Sequence, residues 1–194
     1  MGQSKLPQNA KLAFRGELWD VYQWPQKMFD GSTAIFEGLK SRRNGVKVMA
    51  LSGNKIIMTK EERPDSKKPY YTLIGGQMDD NEEPIETGKR ELLEEAGLES
   101  NNWEQIEVID VLNYPRIEFY IYLFIARNCV KVAEPRLDNG EKIETIEVTF
   151  EQFIENISSN IERFGSFGYS LLNNKQKLEA LKSKIGLAEQ KYPE

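Results

Sequence analysis

The residues with the clearest capacity for chemistry lie between positions 76 and 98, where four glutamates accompany one arginine. They are Glu82, Arg90, Glu91, Glu94 and Glu95. On a helix, residues three and four apart share a face, so Glu91, Glu94 and Glu95 are expected to crowd together. Like charges at that spacing cost about 0.2–0.5 kcal/mol per pair, which a bound cation would relieve. Carboxylate oxygens suit Mg²⁺, with Mn²⁺ as a substitute, better than zinc.

The rest of the composition excludes several other kinds of catalytic site. The chain contains no histidine and a single cysteine, Cys129. Ser-His-Asp triads, Cys-His pairs and histidine-ligated metals are therefore excluded. Intrachain disulfides and all-cysteine zinc sites are excluded as well. Any catalysis must rely on carboxylates and a hard metal ion.

Length and charge define the general class of protein. The 194 residues, 39% of them apolar and 29% charged, are typical of one globular domain, with room for an appendage. No stretch approaches the roughly 20 apolar residues of a membrane span, and the N-terminus lacks a secretory signal, so no membrane partner and a cytoplasmic location are expected. The net charge of −5 disfavours nucleic acid as a partner. A phosphate-bearing small molecule remains compatible with it.

The acidic residues need a helix to position them. That helix is predicted to begin near Pro84 and to stop at Gly97. Gly88 inside it costs up to about 1 kcal/mol relative to alanine, which indicates close packing by a neighbour. The apolar residues expected to face the core, opposite the acids, are Ile85, Leu92, Leu93 and Ala96.

Strands are predicted on both sides of this helix. A hairpin over 17–43 turns at Asp30-Gly31, and Pro25 marks an edge or a bulge in its first strand. Further strands are predicted at 46–51, 55–62, 70–74, 104–114, 118–127 and 142–150. The tail from 151 to about 185 is predicted as two helices broken at 164–168. The pattern is that of an α+β protein.

The acidic segment also matches a known signature. Gly76, Glu82, the run Arg90-Glu91-Leu92, the pair Glu94-Glu95 and the final Gly97-Leu98 resemble the Nudix box at every defined position. A solvated acidic helix after a glycine turn is the alternative, but it leaves this spacing unexplained. The resemblance implies an α/β/α sandwich around a mixed β-sheet, with the Nudix core at 45–162 and its box at 76–98. A C-terminal helical tail would cover 163–194.

The remaining segment, 1–44, is expected to be an added N-terminal β-hairpin. Its run DGSTAIFEGLKSRR at 30–43, followed by the strand VKVMAL at 46–51, resembles the N-terminal sheet of ADP-ribose pyrophosphatase-like members of the family. In that subgroup the sheet helps to build a homodimer and its substrate pocket, so a homodimer is expected here. The alternative is a monomer in which this hairpin lies at the edge of the sheet and takes no part in an interface.

The resemblance also implies roles for the acidic residues. Glu91 and Glu95 would be the first metal ligands, with Glu94 as a third carboxylate that ligates or orients. Glu82 would reach the cluster directly or through water. The remaining residues implied at the metal site are the carbonyl of Gly75 as a ligand and Arg90 as the tether of the carboxylates.

The general base of such enzymes often comes from a late loop. Here Glu141, beside the Asn139-Gly140 turn, is the residue expected to serve, and Glu144 is the alternative. A box glutamate, or a loop acid without a role, also remains open.

Substrate choice is less constrained by the sequence. Tyr114-Pro115 lies where the ADP-ribose pyrophosphatase subgroup carries a marker proline, but the continuation Arg116-Ile117-Glu118 departs from that pattern. Arg63 and Arg116 are expected to contact a phosphate or a ribose of the substrate. The aromatic residues that could stack on a base are Trp19, Tyr22, Trp24 and Phe36.

The function expected from the resemblance is Mg²⁺-dependent hydrolysis of the pyrophosphate linkage in a nucleoside diphosphate derivative, of the ADP-ribose or nucleotide-sugar type. One alternative is a MutT-type nucleoside triphosphate pyrophosphohydrolase. Another is a Nudix-fold binding or regulatory module without catalysis, although such modules typically lose the glutamates that this chain keeps.

Overall fold

The computed structural model describes residues 4–137 and 139–186. The strands are β1 Lys11–Arg15, β2 Trp19–Lys27, β3 Thr33–Ser41, β4 Gly45–Ser52, β5 Lys55–Glu62, β6 Tyr70–Thr72, β7 Leu98–Glu99, β8 Asn102–Asp110, β9 Ile117–Glu118, β10 Tyr120–Arg127, β11 Val130–Lys131 and β12 Lys142–Val148. The helices are α1 Pro84–Ala96, α2 Phe150–Ser159, α3 Ile161–Asn173 and α4 Lys175–Lys184. No helix in the described ranges is long and apolar enough to cross a membrane.

A mixed sheet forms the middle layer, in the order β12-β5-β4-β10-β8, with β6 added beside β5. Strands β4 and β10 run parallel, whereas the other neighbours are antiparallel. Because side chains alternate along a strand, β4 sends Val46, Val48 and Ala50 toward α1 and sends Met49 and Leu51 toward α2–α4. Each face of the sheet thus buries its own apolar cluster, and the predicted α/β/α sandwich is confirmed.

The N-terminal segment forms a separate sheet in the order β1-β2-β3-β9. The predicted hairpin of β2 and β3 is present, and β1 and β9 extend it to four strands. Strand β1, whose five residues are all exposed, was not predicted. Pro25 lies beyond the part of β2 that pairs with β1, so its missing N–H faces an open edge as predicted.

The C-terminal tail differs from its prediction. Up to residue 186, where the described part of the predicted tail ends, there are three helices rather than two, and the first starts at Phe150, inside the strand predicted over 142–150. Thr149 and Gln152 form a capping box that starts α2. The predicted break is present as a bend within α3, where Gly165 has a φ of 50°. Asn160 and Asn174 separate the three helices.

Helix α1 has the predicted bounds. Pro84 stands in its first turn, and Gly97, with a φ of 64°, ends it by donating its N–H to the carbonyls of Leu92 and Leu93. A Cβ on Gly88 would lie 3.3 Å from the ring of Trp103, which confirms the close packing expected there. The predicted buried face is wrong at one position, because Leu93 is 36% exposed while Glu95 is 3% exposed. The helix is therefore rotated so that one of its acids faces inward.

Candidate active site

Two glycines bring the loop before α1 against both the sheet and the helix. The carbonyl of Gly76 accepts a hydrogen bond of 2.9 Å from the N–H of Val46. Gly75 has a φ of 140°, and a Cβ there would collide with the carbonyl of Val46. A Cβ on Gly76 would overlap Oε1 of Glu91. Position 75 thus requires glycine for its backbone conformation and its approach to β4, and Gly76 lies directly against the carboxylate of Glu91.

Glu95 occupies the inner side of this loop. Its Oε2 accepts a hydrogen bond of 3.0 Å from the N–H of Gly75. Burial raises the pKa of Glu95 to about 8, even though the nearby ammonium of Lys47 acts in the opposite direction. Lys47 itself donates to the carbonyls of Leu73 at 2.7 Å and Gly75 at 3.3 Å. A buried carboxylate and a peptide carbonyl, both hard oxygen donors, thus meet at the loop.

Arg90 ties together the remaining carboxylates of the box. Its Nε and Nη2 each lie 3.1 Å from Glu82, in a bidentate pair. Its Nη1 lies 2.8 Å from Glu91 and 3.0 Å from Glu94. Hydrogen bonding from Arg90 lowers the pKa of Glu82 to about 2. The structure therefore places Arg90 in contact with three of the four glutamates of the box.

The three helix acids have different surroundings. Glu95 points inward to Gly75, Glu94 remains 44% exposed, and Arg90 lies against Glu91 and Glu94. Within residues 4–137 and 139–186, no group of three carboxylates is arranged to hold a metal ion as the side chains stand. The guanidinium of Arg90 thus already relieves part of the repulsion between the glutamates, which a bound cation was expected to relieve.

The donor set nevertheless fits a hard divalent cation. Burial raises the pKa of Glu91, outweighing its pairing with Arg90, and burial also raises the pKa of Glu95. The negative charges of Glu91 and Glu95 are thus only partly compensated by neighbouring cations. Glu91 packs against Gly76, and Glu95 accepts a hydrogen bond from Gly75. Carboxylate and carbonyl oxygens are the ligands that Mg²⁺ and Mn²⁺ prefer.

A second arginine connects the strand β5 to the late loop. Arg63 Nη2 lies 2.9 Å from Glu141 Oε1, so the residue expected to bind substrate pairs with the residue expected to act as base. Burial acts to lower the pKa of Arg63, but the charges of Glu61 and Glu141 outweigh it and raise that pKa. The charge of Glu141 also contributes to the raised pKa of Glu91, after burial and despite Arg90. Glu141 therefore lies close enough to influence the box.

The other late acid and the other arginine have different surroundings. Glu144 is 70% exposed and lies 3.8 Å from Lys60. The guanidinium of Arg116 lies 5.0 Å from the ring centroid of Phe36 and also contacts Tyr114, at the N-terminal sheet. Among the described residues no hydrogen bond or ion pair joins Arg116 to the box. The structure thus brings Arg63, but not Arg116, into contact with another predicted site residue.

The aromatic residues considered for base stacking are used mainly in packing. Trp24 is buried and meets Phe36 edge to face, and Trp19 meets Phe119 in the same way. Tyr22 is half-buried in β2. These contacts are typical of a folded sheet rather than of an open stacking surface.

Two residues of the site, Lys47 and Glu61, were not predicted from the sequence. Glu61 is 2% exposed and its carboxylate accepts hydrogen bonds from Thr59, Arg63 and Tyr70. Burial acts to raise its pKa, but Lys47, Thr59 and Arg63 together hold it below the ordinary value. Strand alternation offered a signal, because Glu61 is in phase with the buried Ile57 and Thr59.

Comparison with known proteins is consistent with this geometry. The family model described as NUDIX domain matches residues 41–165. The ADP-ribose pyrophosphatase of Bacillus subtilis (strain 168) is 28% identical over 176 residues, which are 87% of this chain and 92% of that protein. The methanol dehydrogenase activator of Bacillus methanolicus is 30% identical over 115 residues, 58% of this chain and 61% of that protein.

A solved structure supports the same fold. The crystal structure of an ADP compounds hydrolase superposes with a TM-score of 0.70 at 15% identity, over 93% of this chain and 95% of that one. Since the family model covers well over half of the sequence, including the glycine loop and all of α1, the chain belongs to the NUDIX domain family and is a Nudix hydrolase.

Proposed function

We propose that this protein hydrolyses the pyrophosphate linkage of a nucleoside diphosphate derivative, of the ADP-ribose or nucleotide-sugar type, with Mg²⁺ as its metal and Mn²⁺ as a substitute. The observation that carries the proposal is the arrangement of Glu82, Glu91 and Glu94 around Arg90, with Glu95 on the Gly75 loop. The similarity to an ADP-ribose pyrophosphatase over most of both chains supports the substrate class.

The metal would be held by Glu91, Glu95 and the carbonyl of Gly75, with Glu94 as a further carboxylate. When bound, it would polarise the phosphoryl group and lower the pKa of a water molecule. Arg90 would keep Glu82, Glu91 and Glu94 in place, since a planar guanidinium holds carboxylates in fixed directions. The hydrogen bonds from Arg90 to these three carboxylates support this role.

The other residues would serve the substrate and the water. Glu141 would accept a proton from the attacking water, which adds to one phosphorus while the bridging P–O bond breaks. Arg63, beside Glu141, would bind a phosphate of the substrate. Arg116 would contact the outer phosphate or ribose from its place beside Phe36 and Tyr114. Hydrolysis of ADP-ribose in this way yields AMP and ribose 5-phosphate.

We also propose a homodimer built through the N-terminal sheet. Monomeric proteins rarely expose large contiguous apolar patches. This sheet and its turns expose several large apolar side chains, Leu12, Phe14, Leu18, Phe29 and Ile35. A second copy of the chain is the partner that the subgroup resemblance implies.

Light scattering after size exclusion tests the assembly, and Phe14→Ser with Ile35→Ser should shift the mass to that of one chain. A wild-type monomer would refute the dimer.

The function is tested by product analysis with Mg²⁺ present. Four candidate substrates separate the alternatives: ADP-ribose, GDP-mannose, diadenosine polyphosphates and 8-oxo-dGTP. Cleavage of ADP-ribose or of the sugar nucleotide to two monophosphates is the expected result. Turnover of the triphosphate alone would indicate the MutT-type activity instead. Metal binding and nucleotide binding without any turnover would favour a binding module.

A further inference from the structure

A buried carboxylate lies outside the box and behind the candidate base. Glu61, the penultimate residue of β5, is 2% exposed. Its Oε1 accepts a hydrogen bond of 2.9 Å from Thr59 Oγ1. Its Oε2 accepts bonds of 3.1 Å from Tyr70 Oη and 3.2 Å from Arg63 Nε. A charge this deeply buried is costly unless its partners hold it, and here three donors do so.

Arg63 connects this carboxylate to the late loop. Its Nε bonds Glu61 while its Nη2 lies 2.9 Å from Glu141, so the two ends of one planar group hold two acids. Because the guanidinium is rigid, fixing one edge fixes the direction of the other. The orientation of Arg63 is therefore set by Glu61, which is buried and accepts hydrogen bonds from two further side chains, Thr59 and Tyr70.

The strand register leads to the same pairing. In the antiparallel pair of β5 and β12, Lys142 lies opposite Glu62. One residue further out, the same register sets Glu141 opposite Arg63, and their side chains indeed form an ion pair. Cross-strand pairs of opposite charge are favourable. The loop that carries Glu141 is thus attached to the sheet where β12 begins.

We propose that Glu61 is a positioning residue for the general base: it fixes Arg63, and Arg63 in turn docks Glu141 beside the box. The inference rests on the proposed function, because it assigns Glu141 the role of base. Glu61 touches neither substrate nor metal in this account. Its proposed effect on turnover acts through its contact with Arg63 and through the contact of Arg63 with Glu141.

The first test measures docking without relying on turnover. Hydrogen exchange of the amides in 139–146 is followed in the wild type and in Glu61→Gln, which keeps the shape but loses the charge that holds Arg63. Exchange should increase about tenfold in the variant, as local opening becomes easier. Tyr70→Phe, which removes one donor to Glu61, should change exchange less but in the same direction. Unchanged exchange in both variants would overturn the proposal.

A matched control is available in the next residue. Glu62 pairs with Lys142 across the same two strands at 3.0 Å, but both side chains are exposed. Glu62→Gln removes one carboxylate charge at the neighbouring position without touching Arg63. Its exchange and its turnover should equal those of the wild type. An equal effect of Glu62→Gln and Glu61→Gln would assign the change to general weakening of the strand pair and refute positioning.

The second test is a double-mutant cycle on kcat with ADP-ribose and Mg²⁺. Glu61→Gln alone should lower kcat by about tenfold, in the lower range for residues that orient a functional group. In the Glu141→Gln background the same change should lower kcat by less than about twofold, because the base it positions is gone. Losses that multiply would show that Glu61 acts elsewhere. If the wild type cleaves none of the candidate substrates, the proposed function fails, while hydrogen exchange still decides the docking.

Discussion

Two arginines organise acidic residues in this protein, and they do so over different distances along the chain. Arg90 binds Glu82, Glu91 and Glu94, which all lie on or just before α1. Arg63 binds Glu61, two residues before it, and Glu141, which directly precedes the neighbouring strand β12. The Arg90 cluster is a product of one helix and its entry loop. The Arg63 cluster exists only after β5 and β12 have paired.

The difference separates two kinds of contribution to the same site. The Arg90 cluster contains two of the candidate metal ligands, Glu91 and Glu94, and its members are close in sequence. The Arg63 cluster brings the candidate base to those ligands and depends on strand register. Changes in the first should affect metal binding, whereas changes in the second should affect turnover with metal binding retained.

The largest expected effect concerns Glu141. Glu141→Gln removes the base and should lower kcat by about 10²–10⁴-fold, the range for loss of general acid–base catalysis. Mg²⁺ affinity should stay near that of the wild type, because the variant leaves the Arg90 cluster intact. Steady-state kinetics with ADP-ribose, together with calorimetry, measures both. A loss of kcat below about threefold would transfer the role to Glu144 or to a box glutamate.

A smaller effect is expected from Arg90. Arg90→Lys cannot hold Glu82 bidentately and bridge Glu91 and Glu94 at once, since an ammonium is a point donor. Metal affinity should fall by about 10–100-fold, as for other residues that orient metal ligands. Lys89→Gln is the control, because Lys89 pairs with Glu86 on the exposed side of the same helix. Equal metal affinity in Arg90→Lys and the wild type would contradict the tether.

The buried acid of the box should make stability depend on pH. Because the folded pKa of Glu95 is raised from 4.5 to about 8, the folded state binds its proton more tightly than the unfolded chain does. Its contribution to stability is therefore full below about pH 4.5 and is lost as the pH rises to about 8. Without metal, the free energy of unfolding should fall by up to about 1 kcal/mol per pH unit in that window.

Urea unfolding in EDTA at several pH values measures this dependence. Glu95→Gln should flatten the curve between pH 5 and pH 8, roughly the window set by the raised pKa of Glu95. Glu94→Gln, at the exposed neighbouring acid, should leave the slope as it is. The same slope in Glu95→Gln and the wild type would show that another group titrates.

The smallest effect concerns the attachment of the Arg63 cluster to the C-terminal helices. The guanidinium of Arg163 lies 3.6 Å from the ring centroid of Tyr70, which also bonds Glu61. Arg163→Gln should lower the free energy of unfolding by about 0.5–2 kcal/mol through loss of this cation–π contact. Thermal unfolding at fixed pH tests the value. Lowered metal affinity in this variant would contradict the separation of the two clusters.

The same difference explains how far the sequence could predict the structure. The bounds of α1 follow from Pro84 and Gly97, which act locally, and the glutamates of the box are near neighbours in sequence. The contact between Arg90 and Glu82 was predicted for that reason. By contrast, the pairing of Arg63 with Glu141 depends on the register of β5 and β12, which hydrophobic alternation does not specify at exposed strand ends.

The errors in the prediction also have identifiable causes. Glu95 is buried because the Gly75 loop lies over it and donates an N–H, a tertiary contact that helical periodicity does not contain. In the C-terminal tail, a break between helices was predicted at Gly165 and its neighbours, but α3 only bends there. The helices are instead separated at Asn160 and Asn174. Asparagine is a weaker helix breaker than glycine, so its signal was overlooked.

The central claim, that the box of this chain is a metal site, is tested most directly by calorimetric titration of Mn²⁺ and Mg²⁺ into the apo-protein. Wild type should bind, and Glu91→Gln and Glu95→Gln should each weaken binding by about tenfold or more. Glu86→Gln, at an exposed acid of the same helix paired with Lys89, should bind like the wild type. A wild type that binds neither ion, or ligand variants that bind as tightly as it does, would contradict the account.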